Sequence, residues 1–246
     1  MKKCLYLLPV IVVTTGANIA IADEFGLGIG TSVKQKEYIG FDTETNVIPI
    51  VYYQNDYVRI LGTNIDISLT EQQDFSGALR IKLGFGDGYD HTESPYLSGM
   101  KARENSVWIG PTAEYRSQYG TFSADILIDS LSESEGFQAN LTYSRAFSVS
   151  DRIVIEPSIS LSWLSKEYVD YYYGITQAEA TADRPFYQAD ATLNMGASLD
   201  FKYLLSRHQQ AWLGLSYNAL GSEIKNSPIV DSGNDSRVGL FYLYRF

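Results

Sequence analysis

The chain has a single cysteine, Cys4, and it stands inside an N-terminal apolar run that reads as a leader. With that leader removed no thiol is left, which excludes a disulfide framework and any thiolate metal site. Histidine is nearly as scarce, with only His91 and His208, so imidazole-based acid–base or metal chemistry has little to draw on. Positive charge is short as well: 19 Lys and Arg face 29 Asp and Glu, a formal −10. Loss of Lys2 and Lys3 with the leader deepens that deficit and argues against nucleic acid as a partner. After Asp23 no apolar run reaches the ~20 residues of a membrane-spanning helix.

The leader itself is well formed. Lys2 and Lys3 precede an apolar run from Cys4 to Val13, and Ala20-Ile21-Ala22 is an A-x-A cleavage site. This is the layout of a secretory signal peptide over residues 1–22, leaving one mature domain from 23 to 246.

Hydrophobic residues still make up 45% of the chain, with 19 tyrosines, and they are spread in alternation. Successive side chains of a strand point to opposite faces. In "DRIVIEPSISLSW" the residues Ile153, Ile155, Ile159, Leu161 and Trp163 share one face, against Ser158, Ser160 and Ser162. "FYQADATLNMGASLDFKY" alternates in the same way from Tyr187 to Tyr203. The polar faces carry hydroxyls, amides and glycine rather than the Lys/Glu surface of a soluble sheet. Aromatics collect near strand ends (Phe122, Trp163, Tyr187, Tyr203, Tyr242, Tyr244), as interfacial girdles do. The pattern predicts a closed antiparallel transmembrane β-barrel, since in lipid only closure satisfies every backbone group.

Loop lengths orient it. Tight turns at 117–120, 148–151 and 206–209 alternate with long polar segments at 87–104, 165–186 and 221–236, the outer-membrane arrangement. Eleven strands are obvious, yet both termini should lie on the periplasmic side. In the segment 57–69 the apolar phase slips between Ile60 and Ile65, which calls for a hairpin at Gly62-Thr63-Asn64. That split gives twelve strands, with ten as the alternative.

Alternation turns Arg80, Lys82, Arg116, Arg152, Lys202, Arg237 and Arg245 inward, with Glu114, Asp125, Asp129, Glu156, Asp190 and Asp200. So even a balance favours pairing across the lumen over a selective pore. The chain closes on "VGLFYLYRF", whose Tyr242, Tyr244 and Phe246 belong to a lipid-facing row. This terminal strand resembles the signal read by the bacterial barrel assembly machinery. The loop Glu167, Tyr168, Asp170, Tyr171, Tyr172, Tyr173 and Gly174 reads as a recognition surface, because clustered tyrosines offer large rigid area. His91, near Asp87, Asp90 and Glu93, is the nearest thing to a catalytic or cation-binding group. An exposed acidic loop explains it as well, and no catalytic residue, metal site or cofactor is expected. The Gly26-Gly28-Gly30 alternation lacks the following helix of a nucleotide loop.

Several stretches resemble the MipA/OmpV family of outer-membrane proteins: "EYVDYYYGIT" (167–176), "FYQADA" (186–191), "NSPIVDS" (226–232), "FGLGIGTSV" (25–33) and "VIPIVYY" (47–53) with its mid-strand Pro49. The segment 87–104 matches no family feature. The resemblance implies a non-enzymatic barrel in the cell outer membrane, in contact with its lipid and lipopolysaccharide. It further implies a scaffold that brings a lytic transglycosylase to a murein synthase, or an adhesion or permeability role. A narrow passive channel, or an adhesin for surface partners, is the alternative.

N-terminal sequencing of the membrane-bound protein should begin at Asp23. An intact Met1, or a lipid on Cys4, would show the leader to be something else.

Overall fold

The computed structural model describes residues 23–41, 43–84 and 88–246. The expected signal peptide lies outside them, as does Asp87. The strands are β1 (Glu24–Gln35), β2 (Glu44–Gln54), β3 (Val58–Leu61), β4 (Asn64–Glu71), β5 (Phe75–Leu83), β6 (Val107–Ser117) and β7 (Gly120–Asp129). They continue as β8 (Phe137–Ser144), β9 (Phe147–Ser150), β10 (Ile153–Leu164), β11 (Thr192–Leu204), β12 (Gln209–Ala219) and β13 (Asn234–Arg245). β8 and β9 pair in succession with β10 and form one stave, broken at Arg145-Ala146. The barrel therefore has twelve staves, all antiparallel, closed where β1 meets β13 from Gly26↔Arg245 to Gln35↔Ser236.

The hairpin expected inside 57–69 is present. Leu61 pairs with Asn64 and Val58 with Ile67, and Gly62 turns the chain with φ 61°, a conformation that glycine adopts at no steric cost. On either side of that turn the outward row changes phase, from Val58 and Ile60 to Ile65 and Ile67. The hairpin is short, so β2 pairs with β3 only from Tyr52 to Gln54. Pro49 fits here. The Val51 carbonyl accepts the Gly62 N–H at 3.0 Å, so Pro49, two residues back, turns its missing donor to the same side. Above Val51 no strand of the described residues pairs with β2 on that side, and a proline is tolerated where no ladder bond is required.

Alternation holds around the wall. Ile159 is 62% exposed, Leu161 40% and Trp163 40%, whereas Glu156 on the same strand is 4% exposed. At the periplasmic end Phe246 stacks on Phe25 with centroids 5.6 Å apart, and meets Tyr244 edge-on at 5.0 Å. Its N–H donates to the Phe25 carbonyl at 2.8 Å. The terminal aromatic row thus stitches the last strand to the first.

Two expected positions move. Arg152 is not in the lumen but exposed in the periplasmic turn before β10, where its N–H donates to Ser150 Oγ at 3.3 Å. β11 starts at Thr192 rather than near 186, so Asp190 is exposed in an external loop instead of facing inward. Ile175 bridges Tyr187, which draws the residues before β11 over the barrel mouth.

Placing a charge on the lipid face mid-strand costs ~2–4 kcal/mol. Ile159→Arg should therefore destabilise the barrel in bilayer refolding by about that amount, and Ser160→Arg, which faces the lumen, by much less. Equal losses would reverse the assignment of faces.

Candidate functional site

Three layers of side chains fill the lumen. The outermost is a plug made by the external loops. Ser165 caps α1 (Lys166–Tyr173), its Oγ accepting from the Tyr168 N–H at 3.3 Å and the Phe137 N–H at 3.1 Å. The helix turns Tyr168, Val169, Tyr172 and Tyr173 into a core with Tyr38, Tyr89, Leu97, Met100, Trp108 and Ile229. Tyr173 stacks on Tyr38 with centroids 5.4 Å apart and donates its hydroxyl to Glu37 Oε1 at 2.8 Å. Burial pushes the Tyr173 and Tyr38 hydroxyls well above their ordinary pKa. Burial opposes ionisation of Glu37 too, but Lys34 and its hydrogen bonds hold that carboxyl below its usual value. Against the expectation of a tyrosine display, Tyr172 is 0% exposed and Tyr168 and Tyr173 are buried. Gly174 is buried as well. Glu167 is exposed, and Tyr171 and Asp170 are half-buried. A helix with a face this apolar is more stable over the open mouth than in water.

The stretches that carry the family resemblance meet here. The Asp170 carboxylate accepts the Ala189 N–H at 2.9 Å, Tyr187 donates to the Glu223 carbonyl at 2.8 Å and Ser227 Oγ to the Tyr173 carbonyl at 2.6 Å. The segment after β5 joins them. Arg103 reaches both Glu179 oxygens at 3.2 and 3.1 Å and the Tyr171 carbonyl at 2.6 Å. Arg184 spans the same two loops, donating to the Glu179 carbonyl at 2.8 Å, to the Ser98 carbonyl at 3.2 Å and to the Tyr96 carbonyl. Sequence reasoning missed this latch, because periodicity is silent on which loops touch.

The second layer is apolar and lies against one side of the wall. Ile48, Ile50 and Tyr52 of β2 pack with Leu61, Trp212, Phe241 and Leu243, and Trp212 stacks on Phe241 at 5.0 Å. The glycines of β1 form its floor. A Cβ at Gly30 or Gly239 would collide with the Phe241 ring.

The third layer is ionic. Arg80 grips Asp66 with two bonds, at 2.7 and 3.0 Å, and reaches Asp125 at 3.1 Å. Arg59 donates to Asp66 at 2.8 Å and Asn140 to Asp125 at 2.7 Å. Lys202 meets Glu156 at 2.6 Å beside Asp200, which pairs with Glu156 across the strands. Arg116 holds Glu114 at 2.7 Å at the periplasmic mouth, and Arg245 sits at that rim, 3.9 Å from Glu24. Asp129 is used differently: it accepts from Ser106 and from the Ser134 N–H, fixing the loop above β7. Arg59 and Asp66 were absent from the inward set, although the phase slip at Gly62 places both there. Two polar cavities remain, one of about 340 Å³ at the periplasmic mouth, lined in part by Arg59, Asp66 and Arg80, and one of about 380 Å³ beneath the plug, which Lys82 and Arg237 help to line. His91 is exposed 3.5 Å from Asp90, and His208 is exposed with Nδ1 3.1 Å from the Arg245 carbonyl oxygen. Among the described residues no three His, Asp or Glu side chains gather as a metal would require.

Burial works to raise the Glu179 pKa, but Arg103 and the Lys101 and Thr176 N–H groups bring it down to about 2. A depressed carboxylate lends stability that is full above its ordinary pKa of 4.5 and lost as pH falls toward 2. Near-UV circular dichroism of the buried tyrosines should therefore hold at pH 5 and fade between those values. Glu179→Gln should weaken the signal at neutral pH and flatten its acid dependence. A signal flat to pH 2 in the wild type would exclude the latch.

The chain matches the family described as MltA-interacting protein MipA over residues 27–246. It is 32% identical over 165 residues to the outer membrane protein OmpV of Vibrio cholerae, and 29% identical over 163 residues to Omp26La of Vibrio anguillarum. Those matches take in 66% of this chain and 63% of each relative, so the chain spans less than two thirds of their length. It is also 24% identical to the MltA-interacting protein of Escherichia coli K12, over the whole of both chains. Among solved structures, an outer-membrane channel from Pseudomonas putida F1 aligns over 96% of this chain and 100% of its own at 11% identity, with a TM-score of 0.46. The chain belongs to the MipA family and is a β-barrel of the cell outer membrane.

Proposed function

We propose that this barrel is a closed, non-enzymatic interaction protein that holds a murein-related enzyme at the inner surface of the outer membrane. The observation that carries the reading is the filling of the lumen, by the tyrosine plug over the outer mouth, the apolar cluster on the seam side and the Arg80 clamp across from it. A barrel so filled acts through a surface. The relative from Escherichia coli is named for its interaction with MltA, and the family resemblance adds a murein synthase as the second member of a scaffolded pair. A partner on the murein side meets the rim of short turns, where Tyr57 is 73% and Tyr119 66% exposed. Exposed aromatics beside backbone turns suit a protein contact. The outer face, with Glu167 and Tyr171, serves an adhesin instead.

A narrow channel is the second reading. It is favoured by the two polar cavities of the lumen, the periplasmic one of which the Arg80 clamp helps to line. Planar-bilayer recording and a pull-down from solubilised envelope on one preparation separate the two. Wild type should show no steady conductance and should retain a lytic transglycosylase. Tyr57→Asp with Tyr119→Asp should release that enzyme, whereas Tyr171→Ser should not. A large, ion-selective wild-type current abolished by changing Arg80 would overturn the interaction reading in favour of a channel.

A further inference from the structure

We propose that the cavity beneath the plug is a binding chamber for a small saccharide, of one or two rings, that accepts an acidic substituent more readily than a basic one. Its volume, about 380 Å³, lies in the range of small-molecule sites, ~300–1,000 Å³.

The argument begins from strand register. Four adjacent strands turn short neutral polar side chains to the chamber in aligned rows. In one row Ser158 lies beside Ser198, and Ser198 beside Ser216. The next runs Thr142, Ser160, Gly196 and Asn218, and the one above it Asn140, Ser162 and Asn194. In the middle row Ser160 Oγ and Asn218 Oδ1 close over Gly196, where a Cβ would collide with both. Some of these groups are engaged. Ser158 and Ser198 share a bond at 2.8 Å, Asn194 accepts the Gly221 N–H at 2.7 Å and Asn218 donates to Asp235 at 2.9 Å. Thr142, Ser160, Ser162 and Ser216 keep hydroxyl capacity for whatever enters.

A filler would not be built this way. The filled parts of the lumen hold large apolar side chains or the bidentate Arg80–Asp66 pair, and the cavity at the periplasmic mouth is lined by charged groups such as Arg59, Glu71, Glu114 and Arg116. Here the wall is flat, neutral and hydroxylated over four strands, the complement of a ring that presents several hydroxyls. The ceiling adds the rings of Tyr168 and Tyr173, apolar faces on which a sugar ring can lie. Charge gives the preference. Lys34, Lys82 and Arg237 line the chamber against Glu37 and Asp235. Glu37 is bound by Tyr173 and lies 3.7 Å from Lys34, and Asp235 is bound by Asn218. The surplus at the wall is positive, so a carboxylate on the solute gains where an amine loses.

The test uses calorimetry on the folded barrel in detergent with four probes: glucose, glucuronate, glucosamine and cellobiose. Glucuronate should bind more tightly than glucose, and glucosamine less. Thr142→Val keeps the shape and removes one hydroxyl; it should weaken glucuronate by about two- to tenfold, the worth of one hydrogen bond. Ser160→Leu and Ser162→Leu fill the chamber and should abolish binding, while Leu161→Ala on the lipid face should leave it unchanged. Heat-modifiable gel mobility confirms that each variant is folded. Absence of saturable binding for all four probes, or binding indifferent to Thr142→Val and both leucine variants, would overturn the proposal.

Discussion

The stack of Tyr173 on Tyr38, with the Tyr173 hydroxyl donated to Glu37, is the contact on which the outer half of the molecule depends. Glu37 lies just beyond β1 and sits 3.7 Å from Lys34, which belongs to the barrel wall. The plug is thereby tied to the first strand, and the first strand to the last through the β1–β13 seam. Removing either end would leave a buried hydroxyl or carboxylate without its partner, which costs more than the bond itself contributes. Buried tyrosines suit this position because each supplies large apolar area together with one polar tip that can be satisfied. Phenylalanine would fill the same space yet take one hydrogen bond from the buried Glu37 carboxylate, leaving Lys34 to offset its charge.

The lumen is uneven for a reason that starts in lipid. Every stave must turn an apolar row outward, so only the inward row is free to vary. In β1 that row is glycine, which lets the Phe241 ring settle against the backbone of its neighbour. β2, β12 and β13 supply the large apolar groups that occupy the space. Across the lumen β4, β5 and β7 carry the charges that form the Arg80 clamp, and β8, β10, β11 and β12 carry hydroxyls and amides. The seam side is thus packed rigid by apolar contact and the mid-wall is bridged by ions. Below the plug the hydroxylated wall leaves space.

Much of this was legible in the alternation. The twelve staves, the hairpin at Gly62 and the lipid row of Ile159, Leu161 and Trp163 follow from a period of two, since a slip of one residue would turn each row the wrong way. Two misplacements, Arg152 and Asp190, are at stave ends. Arg152 continues the period of β10 and its carbonyl still accepts the Leu204 N–H at 2.8 Å, but it stands just before the strand, where its side chain belongs to the exposed turn. Asp190 continues the period of β11, but the Asp170 bond to the Ala189 N–H holds that segment in the plug. Tyr168, Tyr172 and Tyr173 read as a display because a tyrosine cluster in a loop looks the same whether it faces water or a lumen. Residues contributed by the other loops make the difference, and period carries no trace of them.

The plug also bears on what the family stretches mean. "EYVDYYYGIT" contacts "FYQADA" through Asp170–Ala189 and "NSPIVDS" through Ser227–Tyr173, and Tyr187 of "FYQADA" bonds Glu223, three residues before "NSPIVDS". In this chain the three stretches therefore serve the packing over the mouth. The segment from 88 to 104, in which the sequence alone showed no family stretch, lies within the family match over 27–246 and enters the same plug through Arg103 and its contact with Arg184. A buried ion pair of this kind adds little net stability while intact, yet is costly to break by halves. Closure here is accordingly close to all-or-none. With the latch intact the hydroxylated chamber is shut on the outer side, and with it broken the loops from 88 and from 165 lose their common anchor together.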